Sequence, residues 1–252
     1  MAKINLLQEG IWTCEVWLDG YDMDVRGVVI LGEERAVVWD TLTHPRDMEA
    51  VVPLLKGKDI WVVYSHADWD HIWGTCGLPA AEIVSHISAG DRFQKEVHQT
   101  LRQMRVERPG VWDTVSIVCP TVLFDDYMCI NLGSISLELY ALPGHTIDSI
   151  VGFIPEKGVL LGGDAIEDPF PVLGRSECLK TWIDGLRYWS EHLGVRIVIP
   201  AHGAIGTRDL IERNRVYLTG LTDGSSSLPE NVGEFYRQSH FSNLELAKKA
   251  SG

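Results

Sequence analysis

The chain has 252 residues, room for one large domain or two small ones, and at 45% hydrophobic residues it carries ample material for a packed core, which excludes intrinsic disorder. Its 22 Lys and Arg against 35 Asp and Glu leave a formal net charge of −13, a surface that repels phosphate backbones and anionic lipid headgroups. Neither a nucleic-acid nor a membrane partner is expected, and no run approaches the roughly 18 consecutive apolar residues of a membrane-spanning helix.

Met1 to Asn5 holds one cation and no apolar stretch of signal-peptide length, and the five cysteines form no Cys-x-x-Cys pair. Reduced thiols in small core positions and a cytoplasmic location are therefore expected. No internal repeat or long linker divides the chain, so residues 1–252 are read as a single domain.

The opening reads as strands over 10–18, 25–31 and 36–40, β-branched or aromatic runs broken by Gly and Asp. A helix is predicted over 45–55, started by Pro45 and carrying Met48, Val51, Val52 and Leu55 at helical spacing, and others over 88–104, 176–193 and 207–218. Further strands are predicted over 60–64, 134–142, 149–154, 158–161 and 196–199. The C-terminal Ser239-His240-Phe241 stretch reads as a fraying surface helix. Strands and helices alternate after a strand-on-strand opening. That order favours two sheets packed together and covered by helices over a doubly wound parallel sheet.

Four of the apolar runs end alike. Ile60–Tyr64 leads into Ser65-His66-Ala67-Asp68-Trp69-Asp70-His71, and Leu137–Leu142 into Pro143-Gly144-His145. Val159–Leu161 leads into Gly162-Gly163-Asp164, and Ile197–Ile199 into Pro200-Ala201-His202-Gly203. A buried strand that hands a His or Asp to a Gly- or Pro-containing turn holds it at the edge of a rigid sheet. His66 and Asp68, with His145, suit one cation; Asp70 and His71, with His202, suit a second; and Asp164 suits a bridge between them. Three or four N/O ligands per ion with room for water is the pattern of a catalytic site. His44, His86, His98, His192 and His240 read as ordinary surface or core histidines.

These motifs resemble those of metallo-β-lactamase-fold hydrolases, whose signature is usually His-x-His-x-Asp-His followed by a Gly-His, a Gly-Asp and a final His-Gly. Here the positions are His66, Asp68, Asp70 and His71, then His145, Asp164 and His202, separated by 74, 19 and 38 residues. Val37-Val38-Trp39-Asp40-Thr41 resembles the family's strand ending in Asp-Thr beneath the site. The resemblance implies an α+β fold, an αββα sandwich of two mixed sheets flanked by helices. It also implies a site for two divalent metal ions, zinc first, with iron or manganese as contenders. Asp68 stands where most members carry His, which adds hard-oxygen character to the first site.

The implied chemistry is metal-assisted hydrolysis, in which a water shared by two ions attacks a small ester, lactone or thioester. Asp70 would bind the second ion and orient the nucleophile, and Asp40 would hold a ligand or the loop near His66 from behind. Trp69, Trp73, Phe93, Trp112, Tyr127, Phe170 and Trp182 are candidates for an apolar mouth or for the core, and 104–126 and 167–174 for its covers. The competing reading is a di-iron redox protein working with a separate flavin partner, motivated by Asp68. The oligomeric state is not specified by the sequence.

Overall fold

The computed structural model describes residues 1–174 and 178–250. The chain folds into two compact units, one made of Met1–Trp17 with Val25–Ser136, the other of Leu18–Asp24 with the described residues from Leu137 onward.

The first unit is built on a seven-stranded sheet whose strands follow chain order: β1 (Lys3–Gln8), β2 (Ile11–Leu18), β3 (Met23–Leu31), β4 (Arg35–Trp39), β5 (Asp59–Val63), β6 (Glu82–His86) and β7 (Val122–Phe124). The pairs β1/β2 and β3/β4 are antiparallel, whereas β4 to β7 run parallel. Parallel strands are covered on both faces and so need apolar residues at successive positions. Ala36, Val37, Val38 and Trp39 meet that need, all four buried.

Between the strands lie a one-turn helix α1 (Trp69–Ile72), then α2 (Ala89–Arg92) and α3 (His98–Glu107), joined by a π turn over Phe93–Val97. The helix expected over 45–55 is instead two 3₁₀ segments, Pro45–Ala50 and Val52–Leu55. Pro53, inside the expected span, has no N–H to continue an α ladder. Strands β1, β6 and β7 were not anticipated: β1 alternates little and β7 has only three residues.

The second sheet contains β8 (Tyr127–Asn131), β9 (Ser136–Ala141), β10 (Ile150–Ile154), β11 (Val159–Gly163) and β12 (Ile197–Pro200), in the order β12-β11-β10-β9-β8. Both β9 and β11 are antiparallel to β10, and β12 is parallel to β11. Hence β9, β11 and β12 all leave the sheet at the same end.

Helices α4 (Leu179–Glu191), α5 (Arg208–Asp223) and α6 (Glu234–Ala250) complete the second unit. Leu179, Trp182, Leu186 and Trp189 form the buried stripe of α4, which packs with Leu160, Phe170, Leu210 and Leu218 in one core. Ser176 and Glu177, the expected start of α4, lie outside the described residues. Helix α5 runs five residues past its expected end and stops where Gly224 adopts φ 79°, the left-handed C-terminal turn that glycine permits. The C-terminal helix is no fraying surface element. Tyr236, His240, Asn243 and Ala247, spaced by three or four, are all buried.

Candidate metal centre

In the first unit, β4 and β5 pair in parallel with Trp39 opposite Val63, so the residues after them emerge side by side. Asp40 is fully buried at φ 55°, a left-handed conformation that Asp tolerates better than most residues. Its Oδ1 accepts the Ser65 N–H at 2.8 Å and its Oδ2 lies 2.9 Å from His71 Nδ1. Asp40 therefore holds His71 itself and the start of the turn bearing His66. His66 Nδ1 lies 3.0 Å from Ser65 Oγ, and the His66 and His71 ring centroids are 4.2 Å apart. The other ring nitrogens face carboxylates: His66 Nε2 is 3.4 Å from Asp68 Oδ2, and His71 Nε2 is 3.7 Å from Asp70 Oδ1.

The second unit repeats the arrangement from the ends of β9, β11 and β12. His145 Nδ1 donates to the Val172 carbonyl at 2.8 Å, and His202 Nδ1 to the Asp24 carbonyl at 2.6 Å. Each Nε2 then meets one oxygen of Asp164: His145 at 3.7 Å from Oδ2, His202 at 3.4 Å from Oδ1. Gly144, just before His145, is glycine because a Cβ there would lie 2.2 Å from the Trp182 ring.

The donor set fits a divalent metal. Two ligands at about 2.1 Å from one ion at a tetrahedral angle are about 3.4 Å apart, and the four N···O pairs span 3.4 to 3.7 Å. Holding one imidazole nitrogen by a hydrogen bond and presenting the other to the ion is the usual arrangement of a metal-bound histidine. Asp164 faces two imidazoles with different oxygens, as a bridging carboxylate does.

Two charged residues went unnoticed in the sequence. Arg92 of α2 forms an ion pair with Asp68 Oδ1 and also bonds Glu96 at 3.0 Å, so an arginine 24 residues away offsets the charge of the unusual carboxylate. Glu167 is buried, and one of its oxygens lies within 4.8 Å of ligand atoms of both His145 and Asp164. Burial pushes its carboxyl up to about 7, and the Asp164 charge adds to the rise.

The aromatic candidates divide clearly. Trp73, Phe93, Trp112, Phe170 and Trp182 are buried, Tyr127 is exposed, and Trp69 packs against Trp73 and Trp112 at 5.5 and 5.6 Å. Phe170, a candidate for either the mouth or the core, stacks on Tyr217 at 4.3 Å in the core. Of the cysteines, all free thiols, Cys14 is a core residue whereas Cys119 and Cys129 are exposed, contrary to the core expectation. His44 and His240 are buried, the one beside Thr114 and the other beside Tyr217, each at 3.0 Å.

The chain belongs to the metallo-β-lactamase superfamily, whose model matches residues 23–250 and so runs through both compact units. That membership makes it a metal-dependent hydrolase of a family that binds divalent metals. A type 2 metallo-β-lactamase of Bacteroides fragilis is 22% identical over 219 residues, 83% of this chain and 81% of the relative. Among solved structures, the FIM-1 metallo-β-lactamase of Pseudomonas aeruginosa in its mono-zinc form is similar with a TM-score of 0.64 at 19% identity, covering 99% of this chain and 96% of that one. The inverting sec-alkylsulfatase Pisa1 of a Pseudomonas species gives 0.75 at 17% identity, covering 99% of this chain and 50% of that one. The fold is therefore the expected one, two mixed sheets flanked by helices.

Proposed function

We propose that this hydrolase is dinuclear and acts on a small ester, lactone or thioester. His66, Asp68 and His145 would hold one ion, Asp70, His71 and His202 the other, and Asp164 would serve both. The observation that carries this reading is the twofold pairing within each unit, His66 with Asp68 and His71 with Asp70, His145 and His202 with opposite oxygens of Asp164. Each of the four imidazoles has its Nδ1 against a protein oxygen.

Divalent ions bound there would acidify a water and polarise the bond under attack. Asp70 would bind the second ion and orient that water. Asp40 keeps the His71 proton on Nδ1, so that Nε2 carries the lone pair a metal needs. Val172 and Asp24 do the same for His145 and His202 through their backbone carbonyls.

Zinc suits the imidazole-rich set, with iron or manganese as alternatives given the extra carboxylate at Asp68. The ion pair to Arg92 moderates the negative charge that Asp68 brings to its site. The acidic composition supports a small-molecule substrate and no nucleic-acid or membrane partner, and the five free cysteines support a cytoplasmic location, as parts of the same proposal. No observation favours the flavin-partnered redox reading.

Elemental mass spectrometry of protein purified without added metal tests the centre. Nearly two zinc or manganese ions per chain support it. Turnover of an ester, lactone or thioester that a chelator abolishes supports the substrate class. A panel that also includes a β-lactam and a secondary alkyl sulfate, with turnover only of one of these, overturns that class. Two iron ions without hydrolysis favour the redox reading, and a chain that takes up no metal overturns the centre.

A further inference from the structure

We propose that Glu167 is an additional carboxylate ligand of the ion held by His145 and Asp164. The inference rests on the reading of those two residues as metal ligands.

Glu167 lies three residues beyond Asp164, where the chain leaves β11, and its side chain is almost wholly withdrawn from water. It accepts the Val172 N–H on Oε1 and the Tyr236 O–H on Oε2, both at 3.1 Å. No Lys or Arg pairs with it among the described residues. A carboxylate buried beside a second carboxylate is costly without a cation, and the two hydrogen bonds supply direction but no countercharge. A carboxylate has about four lone-pair sites, so two hydrogen bonds leave capacity for an ion.

The surroundings fix its position more firmly than a merely space-filling residue requires. Asn214 clamps the Glu167 backbone on both sides, accepting its N–H and donating to its carbonyl, each at 2.8 Å. Asn243 of α6 fastens the same strap further on, through Leu173 N–H at 2.8 Å and the Pro171 carbonyl at 3.0 Å. Val172 ties the two groups together: its N–H holds Glu167 and its carbonyl holds His145. One residue thus sets the spacing between an imidazole and a carboxylate whose ligand atoms, with that of Asp164, all lie within 4.8 Å of one another. That is the support expected of a preorganised ligand.

The test compares the wild-type chain with Glu167→Gln, which keeps the shape and removes the charge, and with Glu167→Asp, which keeps the charge and withdraws it by one methylene. Zinc affinity is read by competition with a chromophoric chelator, coordination by the visible spectrum after cobalt(II) substitution, and stability by melting with and without zinc. Glu167→Gln is expected to weaken one of the two sites by about tenfold or more. It should also alter the cobalt spectrum and leave the metal-free melting temperature no lower than that of the wild type. Glu167→Asp should recover part of the affinity.

Unchanged zinc affinity and cobalt spectrum in Glu167→Gln would overturn the proposal while leaving the centre intact. An equal fall in melting temperature with and without zinc, at unchanged affinity, would assign Glu167 a structural role instead. A wild-type chain that takes up no zinc would overturn the underlying metal reading, and Glu167 with it.

Discussion

Replacing Asp40 by Asn separates the support of the centre from its ligands. The carboxylate accepts two buried hydrogen bonds, from Ser65 N–H at 2.8 Å and from His71 Nδ1 at 2.9 Å. Asn keeps one oxygen for Ser65 but turns an NH₂ toward His71, so the imidazole proton must move to Nε2, the nitrogen that would face the ion. Loss of such a partner typically costs 10- to 100-fold in metal affinity, about 1.4 to 2.7 kcal/mol. In the metal-free chain the lost charge-assisted bond costs about 2 kcal/mol. The backbone adds nothing, because φ 55° suits Asn as well as Asp. Asp40→Ala would add roughly 1 to 2 kcal/mol of left-handed strain. Chelator competition measures the first quantity and urea unfolding of metal-free protein the second. An Asp40→Asn chain that loses stability yet binds zinc like the wild type would refute the tautomer argument.

Asp164→Ala should abolish binding at both sites together with activity, and with them the stabilisation that zinc gives the folded form; full metal occupancy by elemental analysis would exclude bridging. Asp68→His should retain two ions, and because Arg92 keeps Glu96 when it loses a part-exposed ion pair, unfolding free energy should change by only about 1 kcal/mol. Loss of one ion in that variant would show that the Asp68–Arg92 pair does something an imidazole cannot. Burial holds His240 below its ordinary value near 6.5, and burial, then the charge of Arg46, does so for His44. Their neutral forms suit the fold, so stability is complete above about pH 6.5 and falls below it, where the unfolded chain binds protons the folded chain refuses. Urea midpoints between about pH 8 and pH 5 should show that fall, and His240→Gln should flatten it; an unchanged slope would acquit His240.

What could be read from the sequence followed from patterns that local physics enforces. A parallel strand buried on both faces must be apolar along its length, so Val37–Trp39 and Ile60–Val63 were visible, as were the His- and Asp-bearing turns they feed. The edge strand over Lys3–Gln8, with partly exposed residues on both faces, carries no such constraint and left no pattern. Within 45–55 the helical spacing was real but Pro53 overrode it. Helix α6 reads as a surface element because its buried face is made mainly of Tyr236, His240 and Asn243, with Ala247, and hydropathy does not mark the first three as core. Asn243 is buried for its hydrogen bonds to the 171–173 backbone, a tertiary fact with no local trace.

The supports of His71, His145 and His202 divide the same way, and the division says which substitutions matter. Asp40 was legible because a strand ending in Asp-Thr resembles the family pattern, and its side chain holds His71 Nδ1 while receiving the Ser65 N–H. Val172 and Asp24 were not, because they act through carbonyls that every residue possesses. A change of side chain at Val172 or Asp24 therefore leaves the proton of His145 or His202 where it is, provided the backbone stays in place. The same change at Asp40 cannot. Arg92 and Glu167 fall between these cases: their side-chain chemistry is essential to what they do, but their partners were invisible until the fold brought Asp68 to the one and His145 and Asp164 to the other. The candidate ligands were read from the order of residues along single strands. The groups that tune them depend on which strands and helices become neighbours, which only the assembled fold specifies.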